Sequence, residues 1–176
     1  MTLAPTPGQT VGPFFRFGLE FERSEELVDR SHPGAVRLHG TVYDGAGVPV
    51  PDAIVEIWQA DEHGVIPSES GSLHRDGYTF TGFGRAMTDD TGRYGFTTVN
   101  PGGGGSPFIA VAVFARGLMN KLHTRIYLPE SEPDALLTEL GPARAATIVA
   151  QREPDGALRH DIRLQGDGET VFFAYR

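Results

Sequence analysis

The apolar stretches of this chain are short, and 23 glycines and 13 prolines cut them at intervals that suit strands better than long helices. Val36, Leu38, Gly40 and Val42 alternate with Arg37, His39 and Thr41, the period of a strand with one buried face. Tyr43-Asp44-Gly45-Ala46-Gly47 then supplies a turn. Further strands are expected over residues 53–58, 85–88, 93–99, 108–114, 122–128, 158–164 and 169–175. Asp89-Asp90-Thr91-Gly92 predicts a hairpin between two of them. Phe108-Ile109-Ala110-Val111-Ala112-Val113-Phe114 is apolar throughout and predicts a strand buried on both faces. Seven to eight such strands at this spacing make an all-β chain and favour a β-sandwich.

One helical insertion interrupts the pattern over residues 132–150, where Leu136, Leu137, Leu140, Ile148 and Val149 take helical spacing. Gly141-Pro142 is expected to split it into two short helices. Residues 1–34 read differently: Pro5, Pro7, Gly8, Gly12 and Pro13 predict an irregular arm. Phe14, Phe15 and Phe17 make that arm too aromatic to float in solvent, so it should pack on this domain or on a partner subunit. Residues 35–176 then form a single sandwich domain.

Composition narrows the function classes. A chain of 176 residues with 39% apolar content supports one core. Its 15 basic residues are scattered and outnumbered by 23 acidic ones, a net charge of −8 that argues against a nucleic-acid partner. The absence of cysteine removes disulfides, thiolate metal sites and thiol nucleophiles. No apolar run approaches the ~20 residues of a membrane span. Residues 1–10 lack the basic start and apolar stretch of a secretion signal, so a cytoplasmic location is the expectation.

The chemistry-bearing residues assign no catalytic group and no metal-ligand set to this chain. None of the six histidines pairs with another at the i, i+2 spacing of a strand face or the i, i+4 spacing of a helix face. There is no Gly-x-Ser-x-Gly elbow. Gly102-Gly103-Gly104-Gly105 leads into a strand and has no Gly-Lys-Ser/Thr ending, so it reads as a flexible turn instead of a phosphate loop. The Asp89–Gly92 turn does not fit a twelve-residue calcium loop. Tyr78 reads as a packed loop tyrosine, and His123 with Arg125 as the polar face of a strand at an edge or a subunit contact.

Three blocks of sequence carry a resemblance. Trp58-Gln59-Ala60-Asp61, Gly84-Arg85-Ala86-Met87-Thr88-Asp89-Asp90-Thr91-Gly92-Arg93-Tyr94-Gly95-Phe96 and Val99-Asn100-Pro101-Gly102 are similar to the core of the intradiol dioxygenases. Thr6-Pro7-Gly8-Gln9-Thr10-Val11-Gly12-Pro13-Phe14-Phe15 resembles the arm of the α subunits in the protocatechuate-cleaving branch of that family. Phe114-Ala115-Arg116-Gly117, then Leu122-His123-Thr124-Arg125-Ile126-Tyr127, and the closing segment from Arg159 to Phe173 extend the likeness over nearly the whole chain.

The resemblance implies O2-dependent cleavage of 3,4-dihydroxybenzoate to 3-carboxy-cis,cis-muconate, with this chain in a supporting role. In the catalytic β subunits of the branch, a tyrosine and a His-x-His strand bind ferric iron; here Phe108 and Ala110 stand where the histidines belong. The implied cofactor is therefore Fe(III) held by a partner β subunit, in αβ units that assemble further. Thr10, Gly12, Pro13 and Phe14 would line the partner's substrate pocket, with Phe14 in place of the family's tyrosine. Arg116 would face the substrate carboxylate, which suits the planar fork of a guanidinium. Two other readings stand beside this one: a non-enzymatic binding or scaffolding sandwich, and a homomeric dioxygenase drawing ligands from His74, Tyr78 and His123.

Overall fold

The computed structural model describes residues 7–12, 14–68, 73 and 75–174. Its strands are β1 (Ala35–Tyr43), β2 (Ile54–Trp58), β3 (Phe83–Met87), β4 (Arg93–Val99), β5 (Phe108–Phe114), β6 (Leu122–Tyr127), β7 (Gln151–Arg152), β8 (Leu158–Arg159) and β9 (Ile162–Arg163). One helix, α1 (Ala135–Ala145), lies between β6 and β7. The strands form two sheets: β4-β1-β8-β7, with β9 also pairing β1, and β3-β2-β5-β6. The expected β-sandwich with a short helical insertion is what the chain forms.

The core lies between the two sheets. From the first come Leu38, Val42, Phe96, Leu158 and Ile162, and from the second Val55, Ile57, Ile109, Val111, Val113 and Ile126, all 3% exposed or less. Each fully buried aliphatic side chain of this kind contributes roughly 1.5–3 kcal/mol over an exposed one. Leu27 joins the same core at 4% exposure, so residues 24–28 run along this domain, with Leu27 N–H donating to Thr97 O at 2.8 Å.

Several local expectations are corrected. The Asp89–Gly92 turn does not close a hairpin, because β3 pairs with β2 and β4 pairs with β1. It carries the chain from one sheet to the other instead. Asp89 Oδ1 accepts from the N–H groups of Thr91 and Arg93, and Gly92 supplies the positive φ of 73°. Strand β5 is buried on one face only: Ile109, Val111 and Val113 point inward, while Phe108, Ala110, Ala112 and Phe114 are half-buried on the outer face.

The expected strand over 158–164 is interrupted at His160-Asp161. The Asp161 carboxylate accepts from Thr41 N–H at 3.0 Å and so takes a place that a ladder carbonyl would fill. In the described part of 169–175, only a bridge from Phe173 to His123 forms. Thr170 N–H donates to Arg163 O and Val171 N–H to Thr147 Oγ1, so side chains and loops satisfy this backbone in place of a ladder. The helical insertion does break at Gly141, with φ 73° and ψ 165°, directly before Pro142. Its start is capped by Asp134, whose side chain accepts from Leu137 N–H at 2.8 Å. All five leucine, isoleucine and valine positions expected on its face pack in a second core cluster with Tyr127 and Val171.

The glycine run before β5 is more constrained than a flexible turn. A Cβ on Gly102 would lie 2.0 Å from the carbonyl oxygen of Glu62, and Gly102 N–H donates to Asp61 O at 2.7 Å. Gly102 thus lets two backbone segments touch, whereas Gly104 and Gly105 have open space around them.

Candidate functional site at the arm and the Arg116 turn

Arg116 sits at a tight turn that follows β5. Leu118 N–H donates back to Ala115 O at 3.2 Å, and Gly117 has φ 90°, the backbone that this four-residue turn demands of its third residue. Ala115 is 1% exposed and anchors the turn in the core, while the Arg116 side chain stands half-exposed. The turn is thus held from below and presents its guanidinium above.

Two contacts strap the N-terminal arm across this turn. Gly117 N–H donates to Thr10 Oγ1 at 2.7 Å, and Asp52 joins both elements through its carboxylate. Asp52 Oδ2 lies 2.9 Å from Arg116 Nη2, and Oδ1 lies 3.1 Å from Arg16 Nη1, at the base of the arm. Gly8 also runs close beneath Met119, since a Cβ there would meet the Met119 methyl carbon at 3.1 Å.

Asp52 itself is in a left-handed conformation with φ 65°, one of two described non-glycine residues with positive φ. Such a backbone costs about 1–2 kcal/mol for an L-residue, though Asp and Asn tolerate it better than most. Buried Thr88 holds the corner in that shape: its hydroxyl donates to Val50 O at 2.8 Å and accepts from Ala53 N–H at 2.9 Å, and its own N–H donates to Ala53 O at 2.9 Å. The Asp52 carboxylate therefore projects from a braced support.

The expected pocket residues are distributed as follows. Thr10 and Arg116 are brought together at the turn. Gly12 O accepts from Phe15 N–H at 3.3 Å, which bends the arm towards Arg16. Phe14 is 77% exposed and Phe17 64% exposed, and their rings lie 6.3 Å apart, so the arm presents an aromatic pair to solvent on either side of Arg16 in sequence. Pro13 lies outside the described residues. Asp52 and Arg16 escaped the sequence reading because 36 residues separate them and neither falls in a recognisable spacing.

The positions where iron ligands were sought hold other chemistry. The Phe108 ring packs 5.7 Å from the Tyr127 ring, with the Arg125 guanidinium 4.0 Å above it. Arg125 donates to Tyr127 Oη at 2.9 Å, and Tyr127 Oη donates to Asp134 at 2.8 Å. Ala110 lies in register between Trp58 and Arg125 on the outer face of the sheet. Neither Phe108 nor Ala110 offers a side-chain donor atom, and among the described residues no three His, Asp or Glu side chains converge on one point.

The two described positions of the alternative ligand set, Tyr78 and His123, have surroundings of their own. Tyr78 is 96% exposed on a turn whose N–H groups are taken by Asp76, which corrects its reading as a packed tyrosine. His123 is half-buried on β6, the outermost strand of its sheet, and burial with nearby Lys121 lowers its pKa. His74 lies outside the described residues. Elsewhere His39 pairs with Glu153 at 2.9 Å, and His160 is buried against Thr147 O with its pKa pushed down to about 4 by desolvation. No helix among the described residues is long and apolar enough to cross a membrane.

A family model described as Dioxygenase matches residues 11–110, from the arm through the first part of β5. The chain is 39% identical to the protocatechuate 3,4-dioxygenase alpha chain of Pseudomonas putida, over 98% of both chains. It is 31% identical to the protocatechuate 3,4-dioxygenase beta chain of Burkholderia cepacia, over 72% of this chain and 57% of that one. Among solved structures, it is similar to the dioxygenase domain of a dioxygenase and carbohydrate-binding protein fusion from Streptomyces sp. SirexAA-E, with a TM-score of 0.55, 25% identity, and coverage of 91% of this chain and 96% of that one. A likeness that runs the full length, on a sandwich whose arm and turn motifs fall together in space, shows that the chain belongs to the intradiol ring-cleavage dioxygenases, an iron-dependent family.

Proposed function

We propose that this chain is the α subunit of a protocatechuate 3,4-dioxygenase, and that it completes the substrate pocket of an iron-bearing β subunit in the cytoplasm. The observation that carries the reading is the strap at the Arg116 turn. Thr10 and Asp52 fix an aromatic arm and a half-exposed guanidinium on one surface, while Phe108 and Ala110 provide no donor for a metal. The Fe(III) belongs to the β subunit, whose wall this surface extends, and αβ units assemble further.

In that pocket Thr10, Gly12, Pro13 and Phe14 shape the side facing the ring, and Arg116 receives the substrate carboxylate. The reaction adds both atoms of O2 across the bond between the hydroxyl-bearing carbons of 3,4-dihydroxybenzoate, giving 3-carboxy-cis,cis-muconate. This chain contributes position and charge: a carboxylate held by a fixed guanidinium aligns the ring before the chemical step.

Production of the chain alone and together with a protocatechuate 3,4-dioxygenase β chain tests the reading. Bound iron, tyrosinate-to-iron visible absorption and protocatechuate-dependent O2 uptake are measured in each. Colourless, iron-free, inactive protein alone and a coloured, active complex are expected. Iron and activity in the isolated chain, or failure to form a complex at all, would overturn it.

A further inference from the structure

We infer that Asp52 is a positioning residue for substrate selection, holding the Arg116 guanidinium in the orientation in which it meets a carboxylate. The inference rests on the proposed role of Arg116 and extends it to a residue that touches no substrate.

Asp52 meets the requirements of such a support. Its backbone is fixed in a costly left-handed conformation by Thr88, which grips the residues on either side. Its side chain is only 25% exposed, so the carboxylate has little freedom to turn away. Its shortest contact with Arg116 is to Nη2, at 2.9 Å, on a half-exposed guanidinium that carries five N–H donors in all and so has donors to offer an incoming anion. Arg16, 3.1 Å from the other carboxylate oxygen, offsets the Asp52 charge, so the trio keeps one net positive charge at the turn. Without that second arginine, Asp52 would cancel the charge that it orients.

The alternative consequence of the same geometry is competition, in which Asp52 occupies Arg116 and weakens its hold on substrate. The two differ in sign. If Asp52 positions, its loss frees a long, half-exposed side chain, whose reordering on binding opposes affinity. If Asp52 competes, its loss tightens binding.

The test uses the assembled α and β chains carrying Asp52→Asn, Arg116→Ala or both. Asn tolerates the left-handed backbone, so the substitution removes charge with little change of shape; Asp52→Gly, which fits the same backbone without strain, serves as a second variant should the first assemble poorly. The readouts are kcat and KM for protocatechuate, and the inhibition constant of catechol, which lacks the carboxylate. Asp52→Asn is expected to raise KM about two- to fivefold, the range of a partly exposed ion pair, and to affect KM more than kcat. Catechol inhibition stays unchanged, and the double variant binds protocatechuate no worse than Arg116→Ala.

A fall in KM, an equal shift for both ligands, or a full additional effect in the Arg116→Ala background would overturn the inference. So would an Asp52→Asn complex with unaltered KM beside an Arg116→Ala complex with a raised one, an outcome that leaves the pocket role of Arg116 standing. An unaltered KM in Arg116→Ala instead removes Arg116 from the substrate site, and the positioning role of Asp52 with it.

Discussion

The side-chain oxygen of Thr10 and the backbone nitrogen of Gly117 lie 2.7 Å apart, although 107 residues separate them in the chain. Through that bond the irregular arm reaches the turn that carries Arg116.

Thr10→Val removes the acceptor and keeps the shape. The Gly117 N–H is exposed and can turn to water, so the loss is near 1 kcal/mol, about the net value of one hydrogen bond. Limited proteolysis of the isolated chain should show faster cleavage within residues 7–17, with the thermal midpoint of the sandwich shifted by no more than a few degrees.

Phe14→Ala separates folding from assembly. With 77% of Phe14 exposed in the isolated chain, its removal leaves the melting temperature within about 2 °C of the parent. In the assembled enzyme the same change is expected to weaken αβ association by roughly 1–3 kcal/mol, as for an aromatic residue buried on binding, which sedimentation at falling concentrations would detect.

Gly40→Ala should be severe. A Cβ at Gly40 would sit 1.8 Å from the backbone oxygen of His160, which also accepts from Tyr94 Oη at 2.6 Å. Neither the carbonyl nor β1 can withdraw without breaking the contact between β1 and the 158–163 segment. The expected cost exceeds about 3 kcal/mol, visible as loss of soluble protein or a midpoint far below the parent in urea.

Acid should destabilise the fold through His160. Burial lowers its pKa to about 4, against about 6.5 in the unfolded chain. Above pH 6.5 both states hold a neutral imidazole; below it the unfolded chain takes up a proton that the folded chain refuses. Stability therefore falls between about pH 6.5 and 4, by a total on the order of 3 kcal/mol. Chemical denaturation at pH 7.5 and 5 should show about 2 kcal/mol of this loss, and His160→Asn, itself less stable, should show a smaller dependence over the same window.

Much of the fold was legible in the order of residues because strand period is a local property. Alternation over 36–42 and the turn residues after it place β1 correctly. Gly141-Pro142 breaks the helix where it was expected to, since a proline clashes with the preceding turn in any context. The Asp89–Gly92 turn shows the limit. Its residues specify a reversal of the chain but not which strands will pair beyond it, and packing sends β3 and β4 to different sheets.

The candidate site divides along the same line. Thr10, Gly12, Phe14 and Arg116 could be named as candidates from sequence because motifs are contiguous, and Phe108 and Ala110 carry no side-chain donor atoms in any fold. That Asp52 joins Arg16 to Arg116 was decided only by the tertiary structure. A carboxylate on a left-handed corner has no sequence signature, and its two partners come within 3.1 Å only when both sheets, the arm and the Arg116 turn have taken their places around a common core.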